Sequence, residues 1–330
     1  MDDVREVVER ARAAGVFPSA AFEAGSSTAP LISGALDANL QSPFDLASLT
    51  KVIATTSVVM DLVRAGSLSL DEPVSAFFNE WRGADRDAVT VRDLLEHASG
   101  LPARLVDTPP LGRREFEHEI CATRLEYEPR TRSIYSDLGF ILLGFLVADR
   151  GGTTLSALFA RSAASLQTDL TFDLPADVRR FALPTRPMDE DPRRGRILTG
   201  EVHDNYAAAL GGAAGHAGLF GSVSGIGLFA RAILSASRRG EPLVSQFTQK
   251  SDVPGSSRAL GWDTMLPTSS CGTRMSPLAF GHVGYTGTSL WLDPIRDRYF
   301  VLLTNRVFGS GTLDEMRSVR RSFHDALGDL

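Results

Sequence analysis

The sequence predicts a mixed α/β (α+β) fold in which both ends of the chain build one sheet layer and the middle forms a helical cap. Each end carries a pair of short strand-like segments joined by a turn, and each also carries an amphipathic helical segment. Residues 48–164 are instead dominated by helical patterns. A sheet must bury its apolar face against another layer, so the strands of the two ends are expected to lie together.

The N-terminal part contains one helix and the first strand pair. The helix is predicted by four apolar residues at helical spacing, Val4, Val7, Val8 and Ala11. Pro18–Glu23 and Pro30–Ser33 predict a hairpin, because the intervening AGSST (24–28) is typical of a turn. Ser48–Ala65 then predicts a longer helix, since its apolar residues recur at helical spacing and Gly66 follows as a C-capping glycine.

The middle of the chain combines short helices with a long loop. Helices are predicted at Val91–Glu96, Gly139–Asp149 and Leu155–Ala164. Residues 169–204 are rich in Pro and Arg without periodicity, which indicates a long ordered loop rather than a linker between independent domains. The small-residue stretch 211–225 then leads into a helix that ends near Ala236.

The C-terminal part contains the second strand pair and the last helix. Thr288–Asp293 and Tyr299–Thr304 predict a hairpin around the turn DPIRDR. Thr312 and Glu315 form a capping box, followed by one apolar face with Leu313, Met316, Val319, Phe323 and Leu327. The predicted division is therefore an α/β sheet domain from 1–47 and 205–330, and a mostly helical domain from 48–204.

The composition excludes several classes of protein. The 330 residues are 43% hydrophobic and 22% charged, which is typical of a globular chain rather than a disordered one. The net charge of −6 argues against nucleic acid as a partner. Cys121 and Cys271 are too few for a disulfide framework, and neither lies in a CxxC pair that would indicate zinc. No P-loop or dinucleotide-binding pattern occurs, so no cofactor is expected.

The sequence also bears on location and assembly. No apolar run approaches the roughly 18 residues of a membrane span. The acidic, amphipathic N-terminus lacks the layout of a secretion signal, so a cytoplasmic location is expected, or a periplasmic or secreted one if a signal peptide has been removed. A monomer or small homo-oligomer acting on a small molecule is expected.

The most specific chemical pattern involves one of the two lysines. Lys51 and Lys250 are the only lysines among 34 basic residues, so the other 32 are arginines. Ser48 and Lys51 form an S-x-x-K at a helix start, where the two side chains share a face. A lysine whose pKa is lowered by burial can take the proton of the serine hydroxyl, whereas arginine cannot. The alternative is a capping serine followed by a surface lysine.

Five blocks of the sequence, in order, resemble the superfamily of class C β-lactamases, serine DD-peptidases and family VIII esterases. They are FDLASLTKVIATTSVVMDLVRAGSLSLDEPV (44–74), VTVRDLLEHASGLP (89–102), EPRTRSIYSDLGFILLG (128–144), LGGAAGHAGLF (210–220) and FGHVGYTGTSLWLDP (280–294). The resemblance implies a β-lactamase/transpeptidase-like fold: an antiparallel sheet, flanking N- and C-terminal helices and an inserted helical domain. It also implies a serine nucleophile at Ser48 and an active site between the two domains.

Tyr135-Ser136-Asp137 resembles the superfamily's Tyr-x-Asn. The resemblance implies that Tyr135 shuttles protons, and a nearby cationic lysine is expected to lower the pKa of its phenol. Asp137 departs from the usual asparagine, because a carboxylate cannot donate a hydrogen bond to a substrate carbonyl. Asp137 could instead pair with Lys51 and keep it charged, which would shift more of the base role to Tyr135.

The third motif has two possible registers, His282-Val283-Gly284 and Tyr285-Thr286-Gly287. The first register is favoured and resembles the Lys/His-Thr-Gly triplet. It implies that the N–H groups of Ser48 and Tyr285 form the oxyanion hole, with Gly284 permitting close backbone approach. Asp137, His282, Gly284 and Thr286 are expected to bind substrate, with His282 and Thr286 on one strand face.

The leading hypothesis is a serine hydrolase that acts through an acyl-enzyme on a small ester, amide or D-amino-acid peptide. Val283 replaces the usual threonine of the triplet, which together with Asp137 favours an esterase or DD-peptidase over a β-lactamase. Two alternatives stay open: a class C-type β-lactamase, and a non-catalytic protein on the same scaffold that binds peptidoglycan fragments or regulates a partner. His203, Asp204 and His216 lack metal-ligand spacing and are expected to line the cleft, and His97 is expected to be structural.

Overall fold

A six-stranded antiparallel sheet forms the centre of the molecule, and it joins the two ends of the chain. The computed structural model describes residues 3–105, 109–328 and 330. The strands are β1 (Ala20–Gly25), β2 (Pro30–Leu36), β3 (Phe44–Asp45), β4 (Phe220–Gly221), β5 (Asp263–Thr264), β6 (Phe280–Val283), β7 (Ser289–Asp293) and β8 (Arg298–Thr304). The sheet order is β2-β1-β8-β7-β6-β5, and β3 pairs separately with β4. Because β1 lies beside β8, with Ala20 opposite Thr304, the predicted antiparallel layer built by both ends is confirmed.

The two predicted hairpins are present with shifted ends. The first strand begins at Ala20 rather than Pro18, because the Ser19 N–H donates to the Asn305 side chain, at 3.0 Å, and not to a neighbouring strand. The strand expected to carry His282 is present as β6, but it ends at Val283 rather than continuing to Thr286.

Eleven α-helices surround the sheet within the described residues. They are α1 (Val4–Ala13), α2 (Thr56–Arg64), α3 (Val91–Leu95), α4 (Gly112–Ala122), α5 (Asp137–Gly151), α6 (Leu155–Ala164), α7 (Ala176–Arg179), α8 (Asn205–Ala209), α9 (Val223–Arg238), α10 (Pro242–Thr248) and α11 (Leu313–Leu327). Every predicted helix is found, and the Thr312–Glu315 capping box of α11 is formed. Helix α4 was not predicted, because only Phe116, Ile120 and Cys121 of its eleven residues are buried.

Alternating residues of β8 pack against helices on the two faces of the sheet. Phe300 and Leu302 belong to a core cluster with residues of α1 and α11, whereas Val301 and Leu303 belong to a larger core with residues of α9 and the middle helices. All but the first residue of β8 are therefore buried. The sheet is a middle layer between the terminal helix pair and the remaining helices.

The helix predicted at Ser48–Ala65 contains a local change of winding. A π-helical turn, Lys51–Thr55, leads directly into α2, and Gly66 beyond its end has the left-handed φ of 67°. Ala47, just before the turn, also has a positive φ, of 47°, which is a strained conformation for a residue with a side chain. Ser48 thus lies between a strained residue, Ala47, and the π-helical turn.

The long loop at 169–204 is ordered by contacts with regular structure. It contains α7, and single bridges join Thr171 to Phe220 and Thr185 to Leu198.

Within the described part of the chain, no single helix has both the length and the apolar composition of a membrane crossing. Helices α5 and α6 have that length and composition only when taken together, and a bend of 76° lies between them.

Candidate active site

Ser48 lies between two side chains that contact its hydroxyl. The Lys51 Nζ donates to Ser48 Oγ at 3.0 Å, and the Tyr135 hydroxyl donates to the same oxygen at 2.6 Å. Lys51 reaches Ser48 from the π-helical turn, and Tyr135 comes from the loop before α5. The structure therefore brings together the three residues predicted to be catalytic.

Lys51 is completely buried and paired with a carboxylate. Its Nζ donates to Asp137 Oδ1 at 2.8 Å and to the His216 carbonyl at 3.0 Å. Burial lowers the pKa of Lys51, but the negative charge of Asp137 and the Tyr135 phenol raise it more, so the pKa is higher than usual. The expected lowered pKa of Lys51 is thus wrong for the resting site, where Asp137 keeps the lysine charged.

Tyr135 is held by neighbouring rings. The His97 ring lies 4.8 Å from the Tyr135 ring between centroids, and the His282 ring lies 6.0 Å away. Burial raises the pKa of the Tyr135 phenol more than Lys51 lowers it. The expectation of a lowered phenol pKa is therefore also wrong, and Tyr135 is neutral at rest. His97 has a packing role, as expected, and its Nδ1 accepts the Ser136 N–H at 3.0 Å.

Asp137 is part of a chain of alternating charges that the sequence did not reveal. Its second oxygen accepts from Arg104 at 3.0 Å, and Arg104 also donates to Asp204 at 2.9 Å. Asp204 in turn contacts His216 Nε2 at 2.8 Å. Burial raises the pKa of Asp137, but Lys51, His216 and Arg104 lower it more, so the carboxylate is ionised. No periodicity links residue 104 to residues 137 and 204, so Arg104 was missed.

His282 is a buried, neutral histidine on β6. Burial lowers its pKa well below the usual value, and Arg258 and Lys51 lower it further. Its Nδ1 lies 2.8 Å from the Val283 carbonyl, which can only accept, so Nδ1 carries the proton. Nε2 is then a bare acceptor, with no partner among the residues that the structure describes. The lowered pKa favours the neutral form of His282, which offers hydrogen bonding at Nε2 rather than a positive charge.

Two backbone N–H groups beside Ser48 are unused. Neither the Ser48 N–H nor the Tyr285 N–H has an acceptor within the described ranges. Gly284 brings the two segments together, since a Cβ there would lie 2.7 Å from the Leu46 carbonyl oxygen and 3.1 Å from the Ala47 Cβ. A pair of free N–H groups at this point can donate hydrogen bonds to a substrate oxygen on which negative charge develops.

Thr286 differs from its expected placement. Strand β6 ends at Val283, so the alternation that put Thr286 on the same face as His282 is broken by a turn. The Thr286 hydroxyl donates to the Asp45 carbonyl at 2.8 Å and is buried. The expectation that Thr286 binds substrate is therefore wrong, because its hydroxyl is used to hold the turn.

A cavity of about 440 Å³ opens onto Ser48. Its lining contains the residues of the first register, 282–284, followed by Tyr285, but neither Thr286 nor Gly287. His203, Asp204 and His216 also line it, as expected of cleft residues. Three arginines line it as well, Arg104, Arg258 and Arg320. They were missed because the sequence gives no reason to single out these three among the 32 arginines of the chain.

Comparisons with known proteins agree with this architecture. The family described as Beta-lactamase matches residues 5–323. A candidate D-alanyl-D-alanine carboxypeptidase of Escherichia coli (strain K12) is 29% identical over 301 residues, which are 80% of this chain and 69% of that protein.

Two solved structures show the same fold. EstCE1, described as a hydrolase with promiscuous acyltransferase activity, has a TM-score of 0.78 at 18% identity and covers 98% of this chain and 97% of its own. A class C β-lactamase from Rhodobacter sphaeroides has a TM-score of 0.75 at 18% identity, over 99% and 98% of the two chains. The β-lactamase/transpeptidase-like fold is thus confirmed. Because the family matches nearly the whole length of this chain, residues 5–323, the chain belongs to the β-lactamase family of hydrolases.

Proposed function

We propose that this protein is a serine hydrolase that acts through an acyl-enzyme, with Ser48 as the nucleophile. The observation that carries the proposal is the position of the Ser48 hydroxyl, 3.0 Å from the Lys51 amine and 2.6 Å from the Tyr135 phenol, beside two unused N–H groups. A serine becomes nucleophilic when an adjacent base takes its proton, and the N–H groups stabilise the oxyanion that forms.

The protons move through Tyr135 and Lys51. At rest the phenol is neutral and the lysine is charged, so the pair must lose one proton before it can accept the proton of Ser48. Because Tyr135 contacts Ser48 Oγ directly and Lys51 is tied to Asp137, Tyr135 takes the proton and Lys51 stabilises the phenolate. Tyr135 then returns the proton to the leaving group.

The acyl-enzyme forms and breaks as two matched steps. Ser48 Oγ bonds to the carbonyl carbon, the carbonyl oxygen becomes an oxyanion held by Ser48 and Tyr285 N–H groups, and the leaving group departs with the proton from Tyr135. Water then attacks the ester carbonyl and gives a proton to Tyr135, and the bond between Ser48 Oγ and the acyl group breaks as Tyr135 passes that proton to Ser48 Oγ and the acid is released. Splitting one difficult hydrolysis into two such steps is the advantage of covalent catalysis.

The substrate class is a small ester or a D-amino-acid peptide rather than a β-lactam. Both oxygens of Asp137 accept from Lys51 and Arg104, and a carboxylate cannot donate to the carbonyl of a β-lactam's acylamide side chain as the usual asparagine would. Val283 supplies no hydroxyl at the usual threonine position. The cavity volume of about 440 Å³ fits a small ligand. The name of the similar E. coli protein supports a D-amino-acid peptide, and the description of EstCE1 as a hydrolase with promiscuous acyltransferase activity supports transfer of an acyl group.

A panel of three substrates tests the proposal. Turnover of p-nitrophenyl acetate, or release of D-alanine from a D-alanyl-D-alanine peptide, is expected, and nitrocefin is expected to turn over much more slowly. The matched control is Ser48→Ala, which should abolish turnover of all three. Nitrocefin as the best substrate would support a β-lactamase and overturn the proposed substrate class. Binding of peptidoglycan fragments without turnover of any of the three substrates would support a non-catalytic protein and overturn the whole proposal.

A further inference from the structure

A buried arginine on α11 holds the backbone beside Ser48. The Arg320 Nη2 donates to the Gly284 carbonyl at 2.6 Å and to the Thr288 carbonyl at 2.9 Å. The residue is only 5% exposed and lines the cavity next to Ser48. It therefore joins the C-terminal helix to the turn that follows β6.

The charge of Arg320 has no carboxylate partner. Arg320 forms no ion pair with any acidic residue in the described part of the chain, although most buried charges in proteins are paired. Burial lowers the pKa of Arg320 to about 9, with a further contribution from Arg306, so the guanidinium still carries its charge at neutral pH. A buried cation without an anion is costly and calls for a compensating negative charge.

The contact falls on one particular peptide group. The carbonyl of Gly284 and the N–H of Tyr285 belong to the same peptide unit, whose two ends are coupled by resonance. A cation bonded to the carbonyl oxygen withdraws electron density and makes the N–H a stronger donor, because hydrogen bonds in series polarise one another. That N–H is the second donor of the proposed oxyanion hole.

We propose that Arg320 is a positioning residue that acts through the Gly284–Tyr285 peptide, polarising the Tyr285 N–H toward the oxyanion of the reaction. The inference rests on the proposed function, since it needs an oxyanion to form on the Ser48 adduct. At rest Arg320 has no anionic partner, and the oxyanion supplies that negative charge. The contact between Arg320 and the Gly284 carbonyl therefore becomes stronger in the transition state than in the ground state. Interactions of that kind raise kcat rather than lower KM.

A second arginine provides a matched control. Arg306 Nη2 donates to the Tyr285 carbonyl at 2.6 Å, the same distance as in the Arg320 contact, and Arg306 is 6% exposed. The carbonyl that it contacts belongs to the next peptide unit, whose N–H is that of Thr286. Arg306 thus supports the same turn with the same chemistry but does not act on the proposed donor.

The test compares Arg320→Gln, Arg320→Lys and Arg306→Gln in the full-length protein. For the neutral substrate p-nitrophenyl acetate, Arg320→Gln is expected to lower kcat about tenfold while KM changes by less than about twofold. Phenylboronic acid, which forms a tetrahedral anionic adduct with an active-site serine, is expected to bind about tenfold more weakly to the same variant. Arg320→Lys keeps the cation and should fall between wild type and Arg320→Gln, and Arg306→Gln should keep the boronate affinity.

The results separate this inference from the proposed function. Fluorophosphonate labelling of wild-type Ser48 is measured first, and its absence would reject the nucleophile itself. If labelling occurs but Arg320→Gln keeps wild-type kcat and boronate affinity, or changes only KM, the role of Arg320 is rejected alone. An equal loss in Arg306→Gln would show general support of the turn and would also reject it. If Arg320→Gln does not fold by circular dichroism, the Lys variant carries the test, with weaker boronate binding at unchanged KM expected.

Discussion

At the scale of single residues, the site depends on which protons are held at rest. Lys51 is charged because Asp137 lies 2.8 Å away, and Tyr135 is neutral because burial raises its pKa. The resting site is thus a neutral phenol beside a cation, and it must lose a proton before Ser48 can react. Two substitutions test this account.

Lys51→Arg tests whether the compact amine of Lys51 is required beside Ser48. A guanidinium keeps the positive charge and can pair with Asp137, but its larger planar group cannot take the fully buried position of the Lys51 amine, 3.0 Å from Ser48 Oγ. We expect kcat for p-nitrophenyl acetate to fall by about 10²-fold or more. The matched control is Lys250→Arg, because Lys250 is the other lysine and is exposed; it should keep wild-type kcat. Equal activities of the two variants would contradict the role of Lys51.

Asp137→Asn tests the effect of the ion pair on pH dependence. The negative charge of Asp137 raises the pKa of both Lys51 and Tyr135, so removing it lowers both. The form that has lost a proton then appears at lower pH, and the rising limb of the plot of kcat against pH is expected to move to lower pH. A limb that stays in place, or moves to higher pH, would show that neither group controls the rate.

At the scale of elements, the site forms where a π-helical turn, a strand end and a helix start meet. The turn carries Lys51, α5 begins at Asp137, and the segment after β6 carries Gly284. The segments approach so closely that Gly284 has no room for a side chain: a Cβ would lie 2.1 Å from the Thr288 hydroxyl and 2.7 Å from the Leu46 carbonyl.

Gly284→Ala is expected to separate these segments. The added methyl group collides with backbone, so we expect a loss of about 1–3 kcal/mol in the free energy of unfolding and a fall in kcat of about tenfold or more. Gly66→Ala is the control, because Gly66 has a positive φ but an added Cβ meets nothing within 4 Å. It should cost about 1 kcal/mol of stability with kcat unchanged. Urea unfolding and initial rates measure both, and a Gly284→Ala enzyme with wild-type kcat would refute the close approach.

Much of this arrangement was predictable from local patterns. The proximity of Ser48 and Lys51 follows from their spacing of three residues on one helical segment, whereas that of Tyr135 was implied only by the resemblance of its block to the superfamily. Arg104 and Arg320 were not predictable, because their partners at 137 and 284 are joined to them only by the folded chain. Thr286 was misplaced because strand periodicity was extended past the end of β6.

At the scale of the whole molecule, the terminal helices support the site from behind the sheet. Helices α1 and α11 pack together over β1 and β8, and Arg320 on α11 reaches through to the site turn. The Phe22 and Phe323 rings meet edge to face at 5.9 Å between centroids, which fixes α11 against β1. Stability of the terminal layer and geometry of the site are therefore coupled.

Phe323→Ala measures this coupling. Removing a fully buried ring is expected to lower the free energy of unfolding by about 3–5 kcal/mol. Since α11 carries Arg320, kcat should fall as well in protein that remains folded. Ser318→Ala, an exposed position on the same helix, should change neither quantity measurably. A destabilised Phe323→Ala protein with unchanged kcat would show that the site does not depend on the packing of α11.

The identity of the nucleophile is the central claim, and the mass of the protein after reaction with a fluorophosphonate tests it most directly. Ser48 is the hydroxyl that contacts both Lys51 and Tyr135. The account predicts one adduct per chain, located on Ser48 by peptide mapping, and no adduct on Ser48→Ala. An unlabelled wild-type protein, or a Ser48→Ala variant that is labelled to the same extent, would contradict it.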